Sequence, residues 1–252
     1  MSQVIAIVNK KGGVGKTTTA LNLAAALALG GGRVLAVDLD PQANLTQGLD
    51  CQAADADWIM GEALLEGRPL DGGGLVVSVY ASPSLDLLPA GPGLSRVGGM
   101  LAERLDGDGA LAANLAKCQQ DLWDYIIIDC RPSLDCLTRN ALNAADAVIV
   151  PVAASLYAIE GLAGLLQQVS RYNLAVRILV GMLDARCKQS NDWMDKQLRK
   201  VSALLLETRV RRSEPINQAM ILGLPVVMSA HRTVGAVDFR ALAKEVRALW
   251  PA

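Results

Sequence analysis

Histidine is almost missing from this chain: His231 is the single one among 252 residues. One imidazole argues against a histidine-based metal centre or catalytic triad, since both need several placed partners. Aromatic residues make up only 4% against a hydrophobic content of 52%. The core must therefore be built from Ala, Leu, Val and Ile, as in parallel sheets covered by helices. The five cysteines (Cys51, Cys118, Cys130, Cys136, Cys187) are an odd number, scattered, with no C-x-x-C pair. Neither a disulfide framework nor a zinc site is implied, and a reducing cytoplasm is the expected compartment. No apolar run approaches the roughly 18 residues of a membrane span, and no signal-peptide pattern opens the chain. The expectation is a protein neither exported nor membrane-spanning. A formal net charge of −1 leaves no global surplus for a polyanion, so any basic surface must be local.

What is present begins at Val8-Asn9-Lys10-Lys11-Gly12-Gly13-Val14-Gly15-Lys16-Thr17-Thr18. The stretch lies between an apolar run, Val4 to Val8, and a helical pattern from Thr19 to Leu29. A strand, a glycine-rich turn and Lys-Thr at a helix start form a cradle for nucleotide phosphates. Backbone N–H groups point into the turn, and the helix N-terminus adds partial positive charge. Gly12 to Thr18 would wrap the phosphates, Lys16 would reach the outer ones, and the Thr17 hydroxyl would ligate Mg²⁺. The first glycine of the ordinary G-x-x-x-x-G-K-[ST] pattern is replaced by Lys10, and a further lysine, Lys11, precedes Gly12-Gly13.

Such a site needs carboxylates at the C-terminal ends of neighbouring strands. Asp129 follows Ile126-Ile127-Ile128, the arrangement that holds Mg²⁺ through water, although an acid that merely ends a strand is also common. Asp38 and Asp40 close a second apolar run, Val34 to Val37. Asp40, just before Pro41, would also suit a turn.

Strands are expected near 3–9, 33–38, 75–79, 84–88, 125–129, 147–152 and 176–183. Helices are expected near 16–29, 58–65, 94–104, 109–121, 135–143, 155–172, 190–206 and 235–249, with a flexible break at Gly72-Gly73-Gly74 and a basic turn over 209–213. Alternation of this kind predicts an α/β fold with a doubly wound, mostly parallel sheet. No internal repeat, low-complexity segment or linker divides it.

The K-G-G-x-G-K-T form resembles the deviant Walker A box of the ParA/MinD group of P-loop ATPases. Val37-Asp38-Leu39-Asp40-Pro41-Gln42-Ala43-Asn44-Leu45-Thr46 resembles the V-D-x-D-P-Q-x-N-x-T box of ParA proteins. Tyr125 to Ser133 resembles Y-I-I-I-D-C-P-P-S, with Arg131 in place of the first of the two prolines. Tyr157, Glu160, Ser213-Glu214, Gly223, Pro225-Val226 and Ala243 to Val246 continue the likeness over nearly the whole chain. The short ParA/Soj type is the nearest form. The resemblance implies one ATPase domain over 1–252, without an N-terminal helix-turn-helix domain. It also implies that Lys11 reaches the partner's nucleotide in an ATP-bound homodimer. Asp40 would position or deprotonate the attacking water, and Asp38 would lie nearer the metal.

From Arg171 to Arg212 there are ten Lys or Arg against four acids, a local surplus of +6. By the resemblance, Arg186 and Arg211 align with arginines that contact double-stranded DNA without reading sequence, and Lys200, Arg209 and Arg212 are further candidates. The implied function is a slow partition ATPase, cytoplasmic and nucleoid-associated. Its ATP-bound dimer would hold DNA until a ParB-like or other cargo-linked protein stimulates hydrolysis, and no membrane is involved. A MinD-like membrane-positioning ATPase is the alternative, but it needs an amphipathic basic helix beyond the core, and the tail after Glu245 is short for one.

Overall fold

A computed structural model describes the backbone of residues 2–51, 56–72, 74–80, 84–153 and 156–252, leaving out the side chains of 56–59 and 156–160. Gly73 of the expected break, and the side chains of Trp58, Tyr157 and Glu160, lie outside the described residues.

In chain order the first half runs β1 (Gln3–Ile7), α1 (Lys16–Leu29), β2 (Val34–Leu39), α2 (Asn44–Gly48), α3 (Ala56–Glu66), β3 (Val77–Tyr80), β4 (Leu85–Leu88), α4 (Leu94–Ala102) and α5 (Ala110–Leu115). The second half runs β5 (Tyr125–Cys130), α6 (Cys136–Ala144), β6 (Ala147–Val152), α7 (Leu156–Val169), β7 (Ala175–Leu183), α8 (Lys188–Leu198), β8 (Leu205–Arg211), α9 (Glu214–Ile221), α10 (Val226–Ser229) and α11 (Val234–Leu249).

All eight strands share one sheet in the order β3-β4-β2-β5-β1-β6-β7-β8. Among the described residues only β3 runs antiparallel to its neighbour. The expected doubly wound, mostly parallel α/β fold is what forms. The central strands β2, β5 and β6 are buried at every residue, so their continuous apolar runs face helices on both sides. Alternate side chains go to opposite faces. Ile126 and Ile128 pack into the layer containing Leu137 and Ala141 of α6. Tyr125 and Ile127 pack into the layer containing α1 and Phe239 and Leu242 of α11. Helix α1 supplies Leu21, Leu23, Ala24, Ala25 and Leu27, all fully buried, and its alanines let it lie close to the sheet.

Register places the chemistry. Asp129 is opposite Ile7 on β1 and opposite Asp38 on β2. The C-terminal ends of three adjacent strands, and the loops that leave them, therefore converge on one point.

Three expectations need correction. The helix expected over 109–121 is a short 3₁₀ turn, Gly107–Gly109, followed by α5 and no more. Gly107 sits so close to α4 that a Cβ there would lie 1.8 Å from the Leu101 carbonyl oxygen. The helix expected over 190–206 stops as α8 at Leu198 and continues as a 3₁₀ segment, Arg199–Leu204. The basic turn expected over 209–213 is largely β8, the other edge of the sheet. Leu206 and Val210 face the core from that strand. Its outward N–H groups are taken by α11: Glu207 and Thr208 donate to Glu245 at 2.7 and 2.9 Å, and Arg211 donates to Asp238 at 2.9 Å. Carboxylates from a distant helix thus protect an edge that would otherwise expose bare donors.

Candidate nucleotide site

The loop between β1 and α1 is shaped by two left-handed glycines, Gly13 (φ 72°) and Gly15 (φ 88°), the second at the N-cap of α1. A side chain at either position would strain the turn. Around Gly12 and Gly13 a Cβ would meet nothing within 4 Å, so the cradle opens outward there. Asn9 fastens its base: the side-chain amide donates to the Pro151 carbonyl at 2.8 Å, and its oxygen accepts the Lys11 N–H at 3.0 Å. Lys10 is exposed.

Lys16 is 7% exposed and donates its Nζ proton to the Lys11 carbonyl at 3.0 Å. Its ammonium fills the cradle from within. Burial lowers its pKa, while the nearby Asp129 carboxylate, Cys130 and Asp40 favour the charged form.

Asp129 is fully buried, and among the described residues neither of its oxygens accepts a hydrogen bond of good geometry, although the Thr17 hydroxyl lies close enough to favour its charged form. Burial drives its pKa well above the usual carboxylate range, and the charge on Asp38 adds to the shift; Thr17 and Lys16 act the other way. An unsatisfied buried carboxylate is costly unless a cation completes it. Among the described residues no group of three or more His, Cys, Asp or Glu could hold a metal by itself. Mg²⁺ bound with a nucleotide needs no such cluster: it takes one or two protein carboxylates, a hydroxyl, phosphate oxygens and water. Asp129 and Thr17 fit that donor set.

Asp38 is differently placed. One of its oxygens accepts the Asp40 N–H at 3.0 Å; the other accepts the Thr46 N–H at 2.9 Å and the Thr46 hydroxyl at 2.8 Å. Its pKa is raised to about 6, burial outweighing those three donors. The carboxylate expected beside the metal thus also braces the loop that follows it. Asp40, 7% exposed, accepts the Gln42 N–H on Oδ1 at 3.0 Å, which leaves Oδ2 outside that turn. The turn role is therefore met by Asp40 Oδ1. The loop after β5 carries Arg131, which forms an ion pair with Asp135 at 2.8 Å.

Two features were not read from the sequence. A cleft beside the loop is lined by Val14, Thr18, Met182, Ser213, Asn217 and Phe239. Met182 takes a left-handed backbone (φ 53°) where β7 and β8 lose register. The second feature is the bridging role of Thr46 on α2, whose hydroxyl ties Asp38 at the end of β2 to the loop after β4. The rule that ligands sit at strand C-termini could have pointed to the end of β7, but the bulge has no local signature.

On the basic face, Arg186 is 87% exposed and paired with Asp184 at 2.7 Å. Arg209 pairs with Asp195 at 2.9 Å and Arg211 with the buried Asp238 at 2.5 Å, while Lys200 and Arg212 are exposed. The five are not equivalent: Arg209 and Arg211 are held in ion pairs to α8 and α11, whereas Arg186, Lys200 and Arg212 project.

A glycine cradle with a buried lysine, at the convergence of three strand ends and their acids, defines a P-loop ATPase. Residues 2–180 match the AAA domain family AAA_31. The chain is 36% identical to the sporulation initiation inhibitor protein Soj of Bacillus subtilis, covering 98% of this chain and 99% of that one. It is 39% identical to the chromosome-partitioning ATPase Soj of Thermus thermophilus, covering 97% and 95%. Among solved structures it is similar to a cobyrinic acid a,c-diamide synthase of Mycobacterium smegmatis, crystallised with an ATP analogue and magnesium: 31% identity, TM-score 0.82, 100% of this chain and 97% of that one. The chain belongs to the ParA/Soj family of chromosome-partitioning ATPases.

Proposed function

We propose that this protein is an ATP- and Mg²⁺-dependent switch that moves or positions cargo by binding DNA non-specifically as an ATP-bound homodimer. Residues 1–252 act in this reading as one ATPase domain, cytoplasmic and associated with the nucleoid. The observation that carries it is the buried Asp129 carboxylate beside Lys16, without a well-formed hydrogen bond, and Asp40 on the adjoining loop. Gly12 to Thr18 bind the phosphates, and Lys16 exchanges the Lys11 carbonyl for phosphate oxygens. Thr17 and Asp129 hold Mg²⁺, which supplies positive charge to the phosphates when bound. Asp38 keeps the Asp40 loop in place, and Asp40 orients the attacking water through its second oxygen. Lys11, on the open side of the cradle, contacts the nucleotide of a second copy. A ParB-like or other cargo-linked protein stimulates hydrolysis and release.

Arg186, Lys200, Arg209, Arg211 and Arg212 form the DNA face in this reading. Exposed pairs such as Arg186 with Asp184 are worth little in water, so phosphates can displace the acid. The likeness to the M. smegmatis synthase supports the nucleotide fold; Lys11 and the Asp38-to-Thr46 box favour the partition reading. The test is DNA binding with ADP, with ATP and with ATP plus Asp40→Ala across a salt series. Binding should require ATP, persist longest in Asp40→Ala and fall steeply with salt. Lys11→Ala should remove the ATP-dependent dimer, read by light scattering, together with DNA binding. Binding that ignored the nucleotide would refute the switch.

A further inference from the structure

We infer that Thr46 is a positioning residue for ATP hydrolysis, acting on Asp40 through Asp38. The inference rests on the ATPase reading and concerns a residue to which that reading gives no task of its own.

Thr46 is buried, at 4% exposure, on α2. Its backbone N–H and its hydroxyl both donate to the same Asp38 oxygen, at 2.9 and 2.8 Å. The hydroxyl in turn accepts the Ala90 N–H at 3.0 Å. A hydroxyl has one proton to give, so with Ala90 fixing its acceptor side that proton must point at Asp38. The second Asp38 oxygen accepts the Asp40 N–H at 3.0 Å. An unbroken line of hydrogen bonds therefore runs from the Ala90 backbone through Thr46 and Asp38 to the backbone of Asp40.

The line explains an expensive arrangement. Asp38 is fully buried, its pKa is pushed up by that burial, and its three donors are all neutral groups. A serine or asparagine would brace a turn at lower cost. A carboxylate with three donors fixes the following residue more stiffly, because charge-assisted hydrogen bonds are stronger and more directional. The beneficiary is Asp40, whose second oxygen must be held to within a fraction of an ångström of its productive place. The line starts outside the phosphate loop, at the segment joining β4 to α4. Displacement of that segment would therefore loosen Asp40 without touching the nucleotide.

The experiment compares Thr46→Val, Thr46→Ala and Thr46→Ser with the wild type in the full chain. Single-turnover ATP hydrolysis, the Kd for ATP with Mg²⁺, and Tm are measured for each, with Asp40→Ala as reference. Valine should slow hydrolysis about 10- to 100-fold, the scale of misplacing a catalytic group by about 1 Å. Its Kd should stay within about threefold, and serine should recover hydrolysis to within about threefold of wild type, both on the same scale of tolerance. Alanine adds no bulk and serves if valine does not fold. Wild-type hydrolysis in the valine or alanine variant would overturn the inference. So would equal losses in hydrolysis and nucleotide affinity that track Tm and are not rescued by serine, the mark of a structural role. If Asp40→Ala hydrolyses ATP normally, the underlying ATPase reading fails instead, whatever Thr46 does.

Discussion

Asp129 and Asp38 are two buried carboxylates side by side on adjacent strands, and they solve burial in opposite ways. Asp38 recruits three well-formed donors, whereas Asp129 has no hydrogen bond of good geometry and only the nearby Thr17 hydroxyl to favour its charge. Both pKa values are raised in the folded state, chiefly by burial. A raised folded value stabilises the protein below the unfolded pKa, and that contribution is lost as pH climbs through the folded value. For Asp38 the loss falls between the ordinary range near 4 and about 6, amounting to about 3 kcal/mol. The ligand-free protein should therefore melt higher near pH 5 than at pH 7 as far as these two groups decide it. Asp129→Asn should raise the ligand-free Tm at pH 7 and abolish the stabilisation given by Mg²⁺ with ATP. Scanning calorimetry at the two pH values checks both; a variant less stable without ligand would show that the orphaned charge is not the cost. Such a residue is legible from sequence as an acid after an apolar run. Its lack of well-formed donors is not, because that depends on Ile7 and Asp38 arriving from other strands.

At the scale of elements, β8 and α11 form one unit. Glu245 and Asp238 of α11 take the outward N–H groups of an edge strand that carries Arg209 and Arg211. Glu245→Ala leaves the Glu207 and Thr208 donors to water and should cost about 1–2 kcal/mol in urea unfolding. Hydrogen exchange should quicken at those two amides while β5 stays protected. Uniform loosening of the sheet would contradict the unit. The segment shows why local reading failed there. Lys188 to Leu204 has helical character, and Arg209 to Ser213 is basic and polar, so nothing nearby announces a strand. The strand exists because β7 lies on one side and helix carboxylates 27 to 38 residues away cap the other. The 3₁₀ turn at Gly107 has a similar cause, a close approach to α4 that only a glycine allows.

Over the whole molecule the charge is divided: a chain of net −1 concentrates its basic residues between Arg171 and Arg212. Lys200 and Arg212 project from that region without being needed by the core. Reversing both, Lys200→Glu with Arg212→Glu, should weaken DNA binding about 10-fold or more. It should also lower the slope of log K against log salt by roughly 0.9 for each phosphate that is no longer neutralised. Basal ATP hydrolysis and Tm should stay at wild-type values. Unchanged DNA affinity would move the interface to another face.

The sequence by itself determined the glycine loop, the placement of Asp38, Asp40 and Asp129 at and just after strand ends, the parallel α/β order and the family. Each depends on neighbours within a few residues: glycines where φ must be positive, an acid at the end of an apolar run, Lys-Thr at a helix start. Tertiary structure alone decided which acid lacks well-formed hydrogen-bond donors and which braces the following loop. It also decided that Thr46 bridges to Ala90, that Met182 bulges beside the loop, and that Arg211 belongs to the fold while Lys200 and Arg212 do not. Register sets those distinctions, because a hydrogen bond between residues 8, 27 or 44 positions apart exists only once the strands have chosen their partners.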